Sequence, residues 1–367
     1  MAGVVSAREQ RILGIIETAR GKRAKFRDER ITMAHGAGGK ATQTLIEGLL
    51  VPALSDADAI DAPLQEMGDA GFVALGGTEL AFTTDSYVVK PLRFPGGSIG
   101  ELAVNGTAND LAVSGARPLA LSLSLILEEG LASEILRQEV QAIAAAARAA
   151  GVSVVTGDTK VVERGHADGM YICTAGIGLR DLRARLSPAA LRPGDRILLS
   201  GRIAEHGTAI MLARNEFELH AEIESDTRCL WPAVNALLEE VGAELHCLRD
   251  ATRGGVASVL NELARASSVA MIVREGEIPV APAVAGAAEI LGIDPMYVAN
   301  EGVFVAIVAP EASERALAAL RGVPGGEQAA EIGEVRSEPD GMVLIQTSFG
   351  GRRVLDQLVG DPLPRIC

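Results

Sequence analysis

LALSLSLILEEGLASEILRQEVQAIAAAARAAGVSVVTGDTK, residues 119–160, reads as strand, helix, strand. Leu119 to Leu125 alternates large and small side chains at a period of two, the pattern of a pleated strand. Ala132 to Ala150 reads as a helix, with Ser133 as its N-cap and Gly151 just past its end. Val152 to Thr156 then predicts a buried strand ending at Gly157-Asp158-Thr159. Such a unit, repeated along the chain, predicts an α/β fold with mixed sheets.

The pattern continues on both sides. Leu80 to Thr84 is a short strand running into Asp85, and Tyr171 to Gly178 is another. The Arg- and Leu-rich stretch from Arg180 breaks at Pro193-Gly194-Asp195, which places a domain boundary near residue 185. Beyond it, strands are expected at Arg196 to Ser200, Val269 to Val273, Val303 to Val308 and Met342 to Thr347. Helices are expected at Glu205 to Asn215, Asp226 to Val241, Val256 to Ala266 and Ala312 to Leu320. The chain therefore divides into a basic N-terminal extension (1–31), an N-terminal domain (32–184), a C-terminal α/β domain (185–349) and a tail (350–367). The extension carries eight Lys and Arg against four acids, the reverse of the rest. In isolation it is too short to hold a stable helix.

Composition bounds the function. The 367 residues carry 34 Lys and Arg against 48 Asp and Glu, a net charge of −14. That balance argues against nonspecific nucleic-acid binding and against docking on an anionic membrane. No apolar run reaches the roughly 18 residues that a membrane span needs. Four cysteines, Cys173, Cys229, Cys247 and Cys367, form no CxxC pair and no zinc spacing. With no secretory segment at the N-terminus, a reduced cytoplasmic setting is expected.

Four features carry chemistry. In His35-Gly36-Ala37-Gly38-Gly39-Lys40, three glycines free the backbone to turn its N–H groups toward an anion, and a helix follows. The spacing is not that of the GxxxxGK[ST] phosphate loop, and alone it does not separate a phosphate cradle from an ordinary turn. Asp85, Asp110, Asp158 and Asp250 each stand at a strand end or glycine turn. Hard carboxylate oxygens suit Mg²⁺, although any one of them reads equally as a turn-capping Asp. Lys160, two residues after Asp158, supplies a cation for a nucleotide–magnesium site. Asn300-Glu301-Gly302 puts an acid at a strand entrance, where a surface turn is the competing reading. Last comes Cys367, a thiol on the Pro-stiffened stretch DPLPRIC, able to reach into a site.

GAGGKATQTLIEGLL, AFTTDSYVVKPLRFPGGSIGELAVNGTANDLAVSGA, VVTGDTKVVERG, LRDATRGGV, ANEG and the closing PRIC together resemble the HypE family of hydrogenase maturation factors. The resemblance runs from about Met33 to Cys367. The wider superfamily is that of aminoimidazole ribonucleotide synthetase, selenophosphate synthetase and thiamine monophosphate kinase, which lack the cysteine tail.

The resemblance implies a homodimer of two-domain chains, with N-terminal-domain strands of both subunits forming a shared barrel and a mobile tail. It implies ATP and Mg²⁺ near Asp85, Asn109, Asp110, Gly157, Asp158, Thr159 and Lys160. Asp85, Asp110 and Asp158 are the implied metal ligands. The loop with Gly36, Gly38, Gly39 and Lys40 is implied to close over the phosphates. Cys367 is implied to receive a carbamoyl group from the carbamoyltransferase HypF. ATP-dependent dehydration then leaves a thiocyanate, whose cyano group passes to iron on a HypC–HypD complex. Glu301 is the first candidate for the acid–base group and His35 the second. Two other readings compete: a superfamily kinase or synthetase acting on a free small molecule, and a non-catalytic carrier with ATP as effector.

Overall fold

The structure is a computed structural model, and it describes residues 25–54, 68–214 and 221–358. Residues 1–24 of the extension, Asn215 and the end of the tail with Cys367 lie outside the described residues.

The N-terminal half is built on five strands: β1 (Gly71–Leu75), β2 (Thr78–Tyr87), β5 (Ala116–Glu128), β6 (Ser153–Val162) and β7 (Met170–Arg180). Two-residue strands β3 (Arg93–Phe94) and β4 (Gly97–Ser98) form a separate small hairpin. The sheet order is β1-β2-β7-β5-β6, antiparallel except for the β5–β6 pair. That parallel pair is joined by the helix Ser133–Ala150, the crossover expected for two parallel neighbours. Gly151 ends this helix at φ 68°, the left-handed cap that glycine adopts without a Cβ penalty. Ser133 is the first helical residue, not the cap; Ala132 takes that position.

Helix α1 (Lys40–Leu45) follows the glycine loop, α2 is Ile99–Val113, and α3 is the Ser133–Ala150 crossover. The strands β2, β5 and β7 pack against α2, which is buried on nearly every side. Its small residues, Gly100, Ala103, Gly106, Ala108 and Ala112, let the sheet and the second domain approach together. A helix that offers no polar stripe to solvent belongs inside a protein.

Among the described residues nothing covers the opposite face of the sheet. Phe82 and Ile177 are exposed there, and β6 is exposed along almost its whole length. The expectation of a buried strand ending at Gly157 is therefore corrected: Gly157-Asp158-Thr159-Lys160 sits inside an exposed edge strand. Asp110 is likewise not at a strand end. It lies in the last turn of α2.

Among the described residues the second half holds seven strands: β8 (Arg196–Leu199), β9 (Leu245–Asp250), β10 (Ala270–Arg274), β11 (Phe304–Val308), β12 (Ala330–Arg336), β13 (Val343–Gln346) and β14 (Arg352–Val354). Their order is β14-β13-β10-β12-β8-β11-β9. Five helices accompany them: α4 (Glu205–Ala213), α5 (Trp231–Glu240), α6 (Gly255–Ala266), α7 (Pro282–Leu291) and α8 (Ser313–Arg321). Alternation on β11 explains the layering. Val305 and Ile307 enter one core with Val256, Leu260 and Leu263 of α6. Phe304, Ala306 and Val308 enter the other with Leu237 of α5 and Leu320 of α8. A strand buried on both faces reads as the continuous apolar run seen here.

Two expectations change. Asp226 to Leu230 is not helical; α5 begins at Trp231, and the Asp226 carboxylate instead accepts the Glu301 and Gly302 N–H groups at 3.1 and 3.2 Å. The tail is not free from residue 350. Strand β14 pairs with β13, Leu355 is fully buried, and the chain is held as far as Leu358.

Candidate active site

A cleft opens where β2, α2 and the start of β9–α6 meet, and carboxylates dominate it. Asp85 comes from β2, Asp110 from α2, Asp69 from the turn before β1, and Asp250 from the end of β9. Glu301 enters from the turn before β11. Alternation on β2 aims Thr83 and Asp85 at α2. Thr83 Oγ1 lies 2.9 Å from Asp110 Oδ2 and 2.8 Å from the Asp69 carbonyl. Asp69 Oδ1 accepts a hydrogen bond from Arg249 Nη1 at 2.5 Å.

Burial and crowding set the proton affinities. Burial, helped by the charges of Asp250, Asp69 and Asp85, pushes the Asp110 carboxyl well above the usual range. Burial followed by the nearby Asp69 charge pushes Asp250 up to about 8. Glu301 is raised well above its ordinary value by burial, then by Asp85, Asp226 and Asp250. Like charges this close cannot all ionise in a partly dry site, so some stay protonated until a cation arrives.

A cation comes from the turn after β9. Asp250-Ala251-Thr252-Arg253-Gly254-Gly255 crosses from β9 into α6 with Gly254 at φ 77° and Gly255 at φ 61°. At Gly255 an added Cβ would meet the Met296 and Val298 carbonyls, so only glycine lets the turn close. Arg253 is exposed and lines the cleft at the N-terminus of α6. A guanidinium beside a helix N-terminus is suited to phosphate oxygens.

The donor set fits a hard cation: all oxygen, mostly carboxylate, and electrostatically short of positive charge. Among the described residues no three acids, histidines or cysteines converge closely enough to hold an ion alone. An ion here must share oxygens with water or phosphate, the habit of Mg²⁺.

The expected site residues divide into three groups. Asp85, Asp110 and Glu301 line the cleft together. Asn109 sits beside them but is fully committed: Nδ2 donates to the Arg228 and Glu301 carbonyls at 2.9 and 3.1 Å, and Oδ1 accepts the Leu230 N–H at 2.8 Å. It brackets the two domains. Gly157, Asp158, Thr159 and Lys160 lie elsewhere in the single chain, on β6. The cross-strand row Asp158, Ser124, Cys173, Ser86 puts the Asp158 side chain on the open face, opposite the one Asp85 uses. There Lys160 Nζ pairs with Asp158 Oδ2 at 2.9 Å, and that pairing lowers the Asp158 pKa.

The third group is the glycine loop. His35 is buried, with Nε2 2.9 Å from Asp28 Oδ2 and Nδ1 3.0 Å from the Thr32 N–H. Both ring nitrogens are engaged locally, and His35 does not line the cleft. Gly36 has open space around it. Gly38, at φ 76°, lies against the Arg253 backbone, where a Cβ would come within 2.6 Å of the Arg253 carbonyl. Gly38 N–H donates to Thr42 Oγ1 at 3.0 Å, and Lys40 N–H donates to the Leu358 carbonyl at 3.2 Å. Lys40 Nζ bonds Asp356 Oδ2 at 2.8 Å. In this arrangement the loop holds the root of the tail.

Sequence reasoning passed over Asp69 and Arg253. Asp69 had the same signal as the other aspartates, a carboxylate inside the glycine turn Gly68-Asp69-Ala70-Gly71. Arg253 had the doubled glycine that follows it.

Residues 67–180 match the family AIR synthase related protein, N-terminal domain, and residues 192–346 match its C-terminal domain. The chain is 46% identical over 367 residues to the carbamoyl dehydratase HypE of Cupriavidus necator, covering 100% of both. It is similar to the chain of a crystal structure of a HypE–HypF complex, with 41% identity, TM-score 0.80, and 86% and 99% of the two chains covered. It is also similar to a crystal structure of HypE in complex with ATP, with 44% identity, TM-score 0.76, and 92% and 100% covered.

Proposed function

The chain belongs to the HypE family of carbamoyl dehydratases on the AIR synthase related fold, and from that premise we propose that it dehydrates, at the expense of ATP, a carbamoyl group carried on Cys367. The observation that carries this reading is spatial. The segment leading to Cys367 leaves the described fold at Leu358, against the loop that rests on Arg253 at the rim of the carboxylate cleft.

The chemistry follows from the amide. Its oxygen is a poor leaving group, and transfer of the γ-phosphoryl group to it, with loss of one N–H proton, makes an S-bound O-phosphoryl isourea-like imidate and ADP. Loss of phosphate and of the second N–H proton then gives Cys–S–C≡N. Arg253 and the N-terminus of α6 stabilise negative charge on the phosphoryl oxygens. Glu301, whose proton affinity its buried, acidic surroundings raise, accepts the first nitrogen proton and passes it to solvent, and the departing phosphate carries off the second. Asp85 and Asp110, with Asp250 beside them, are the residues that would hold Mg²⁺, which would neutralise phosphate charge. Asn109 keeps Glu301 in place from below.

Lys160 and Asp158 fit the same reading through a homodimer. The uncovered sheet face and the exposed β6 supply the surface, and with that face covered by a second copy, Asp158 to Lys160 lie at a subunit junction. HypF is the proposed donor of the carbamoyl group, and a HypC–HypD complex the proposed acceptor of the cyano group. No described helix is long and apolar enough to cross a membrane. A cytoplasmic site of action is part of the proposal.

The test is mass spectrometry of the C-terminal peptide after carbamoyl loading and addition of ATP and Mg²⁺. Loss of one water from the loaded peptide, dependent on ATP, supports dehydration. A loaded peptide unchanged by ATP supports the carrier reading. Full activity of Cys367→Ala on a free small molecule supports the kinase reading.

A further inference from the structure

The glycine loop and the root of the tail are built against each other. Lys40 N–H donates to the Leu358 carbonyl at 3.2 Å and Lys40 Nζ to Asp356 Oδ2 at 2.8 Å. From the other side Tyr297 OH donates to the Asp356 carbonyl at 2.9 Å, and Asn261 Nδ2 to the Leu355 carbonyl at 2.9 Å. Leu355 is fully buried and Gln357 nearly so. The loop in turn rests on the turn that opens α6: Ser258 Oγ donates to the Gly38 carbonyl at 3.1 Å, and Gly38 lies on the Arg253 backbone. Loop, tail root and α6 N-terminus thus form one continuous contact ending at a residue that lines the cleft.

We propose that the Gly38–Lys40 loop is a clasp for the tail, and that Lys40, through Asp356 and Leu358, is a positioning residue that fixes where the carrier segment departs. This rests on the reading that Cys367 carries the reacting group. Cys367 lies nine residues beyond Leu358. Fully extended they span about 30 Å, far more than the few ångströms of loop between Leu358 and Arg253. A free tail of this kind searches a large volume; one pinned beside the cleft keeps its end at high effective concentration. The clasp also accounts for two of the three glycines in a loop whose N–H groups bond the protein itself. Gly38 allows the approach to Arg253 and Gly39 the approach to Leu358.

Gly39 provides the sharpest probe. Its backbone, at φ −103° and ψ −161°, suits any residue, yet an added Cβ would come 2.8 Å from the Leu358 carbonyl. Gly39→Ala therefore dislodges the tail without straining the loop. The experiment is single-turnover formation of thiocyanate on the full-length, carbamoyl-loaded chain, with the ATP dependence of the rate measured in parallel. Gly39→Ala is expected to slow the step about tenfold, and Lys40→Ala and Asp356→Ala about threefold to fivefold, the scale of an exposed ion pair. The ATP concentration for half-maximal rate stays within twofold. The charge-swapped double variant Lys40→Asp/Asp356→Lys recovers most of the rate. Wild-type rates in Gly39→Ala and Asp356→Ala overturn the clasp. So does a Lys40→Ala variant that weakens ATP while Asp356→Ala changes nothing, for Lys40 then serves the phosphates. If the unaltered chain forms no thiocyanate, the functional reading fails and takes the clasp with it.

Discussion

Asn109 and Glu301 are bonded across the domain boundary: the Asn109 amide donates to the Glu301 carbonyl at 3.1 Å, so the N-terminal helix α2 holds the C-terminal domain's acid in place. Asn109 is 2% exposed, and all its amide bonds go to backbone of the other domain. Replacing it by Ala leaves two buried backbone groups, the Glu301 carbonyl and the Leu230 N–H, and one half-buried one, the Arg228 carbonyl, without this partner. Each unmet buried group costs about 1–3 kcal/mol. Asn109→Ala is expected to lower the melting temperature by at least about 4 °C, at roughly 2–4 °C per kcal/mol. Thiocyanate formation should fall more than ATP binding, because the pocket loses Glu301 before it loses Arg253. A thermal melt beside an ATP titration checks both.

The acidic cleft makes stability depend on pH. Asp250 rises from an ordinary 3.8 to about 8 on folding, chiefly through burial. Between those values the folded chain keeps a proton that the unfolded chain releases. The contribution is therefore complete below the lower value and lost as pH climbs through the upper one. Without Mg²⁺ and nucleotide, the chain should melt higher at pH 5 than at pH 8. Asp250→Asn should flatten that difference by raising the pH 8 value. Asp110 and Glu301 are raised too and act in the same direction. A wild-type melting temperature that increases from pH 5 to pH 8 contradicts this electrostatic account.

Asp110→Ala and Lys160→Ala separate loading from dehydration. Both residues belong to the proposed nucleotide step, and neither is needed to receive a carbamoyl group on Cys367. Each variant should accept the carbamoyl group and fail to lose water, at least 10²-fold slower than the parent chain, the scale for losing one charge-stabilising group. Dehydration at the parental rate in both would remove them from the site.

The open face of the N-terminal sheet should be covered in solution. Phe82 is 50% exposed and Val155 66% exposed, in a sheet whose other face is packed. Phe82→Asp and Val155→Asp should convert a dimer into a monomer on light scattering. Dehydration by the Val155→Asp chain should fall with it, since Lys160 then has no second subunit to serve. A parent chain that is monomeric at micromolar concentration rules out this use of β6.

Much of the fold was legible because its strands carry strong patterns. Leu119 to Leu125 alternates, and Val303 to Val308 is a continuous apolar run; the first lies inside β5, and β11 covers the second from Phe304 onward. Helix α2 was not legible. It packs on all sides through small residues interleaved with Asn105, Thr107, Asn109 and Asp110, so it shows no apolar stripe. That is why Asp110 was expected at a strand end or glycine turn. The tail root escaped for a related reason: single residues, Leu355 and Gln357, anchor it without any period. In the site, Asp85, Asp110 and Glu301 were readable from their turns and glycines. The separation of Asp158 and Lys160 from them was not, because which face of a sheet a residue takes depends on strand pairing that the local sequence does not state.

The central claim is that the carboxylate cleft dehydrates a group borne on Cys367. Its most direct measurement is mass spectrometry of the C-terminal peptide from the carbamoyl-loaded full-length chain, with ATP and Mg²⁺ added and with each withheld. The account predicts loss of one water from that peptide only when both are present, with ADP and phosphate formed in equal amounts. ATP turnover with the carbamoyl peptide left intact would contradict it.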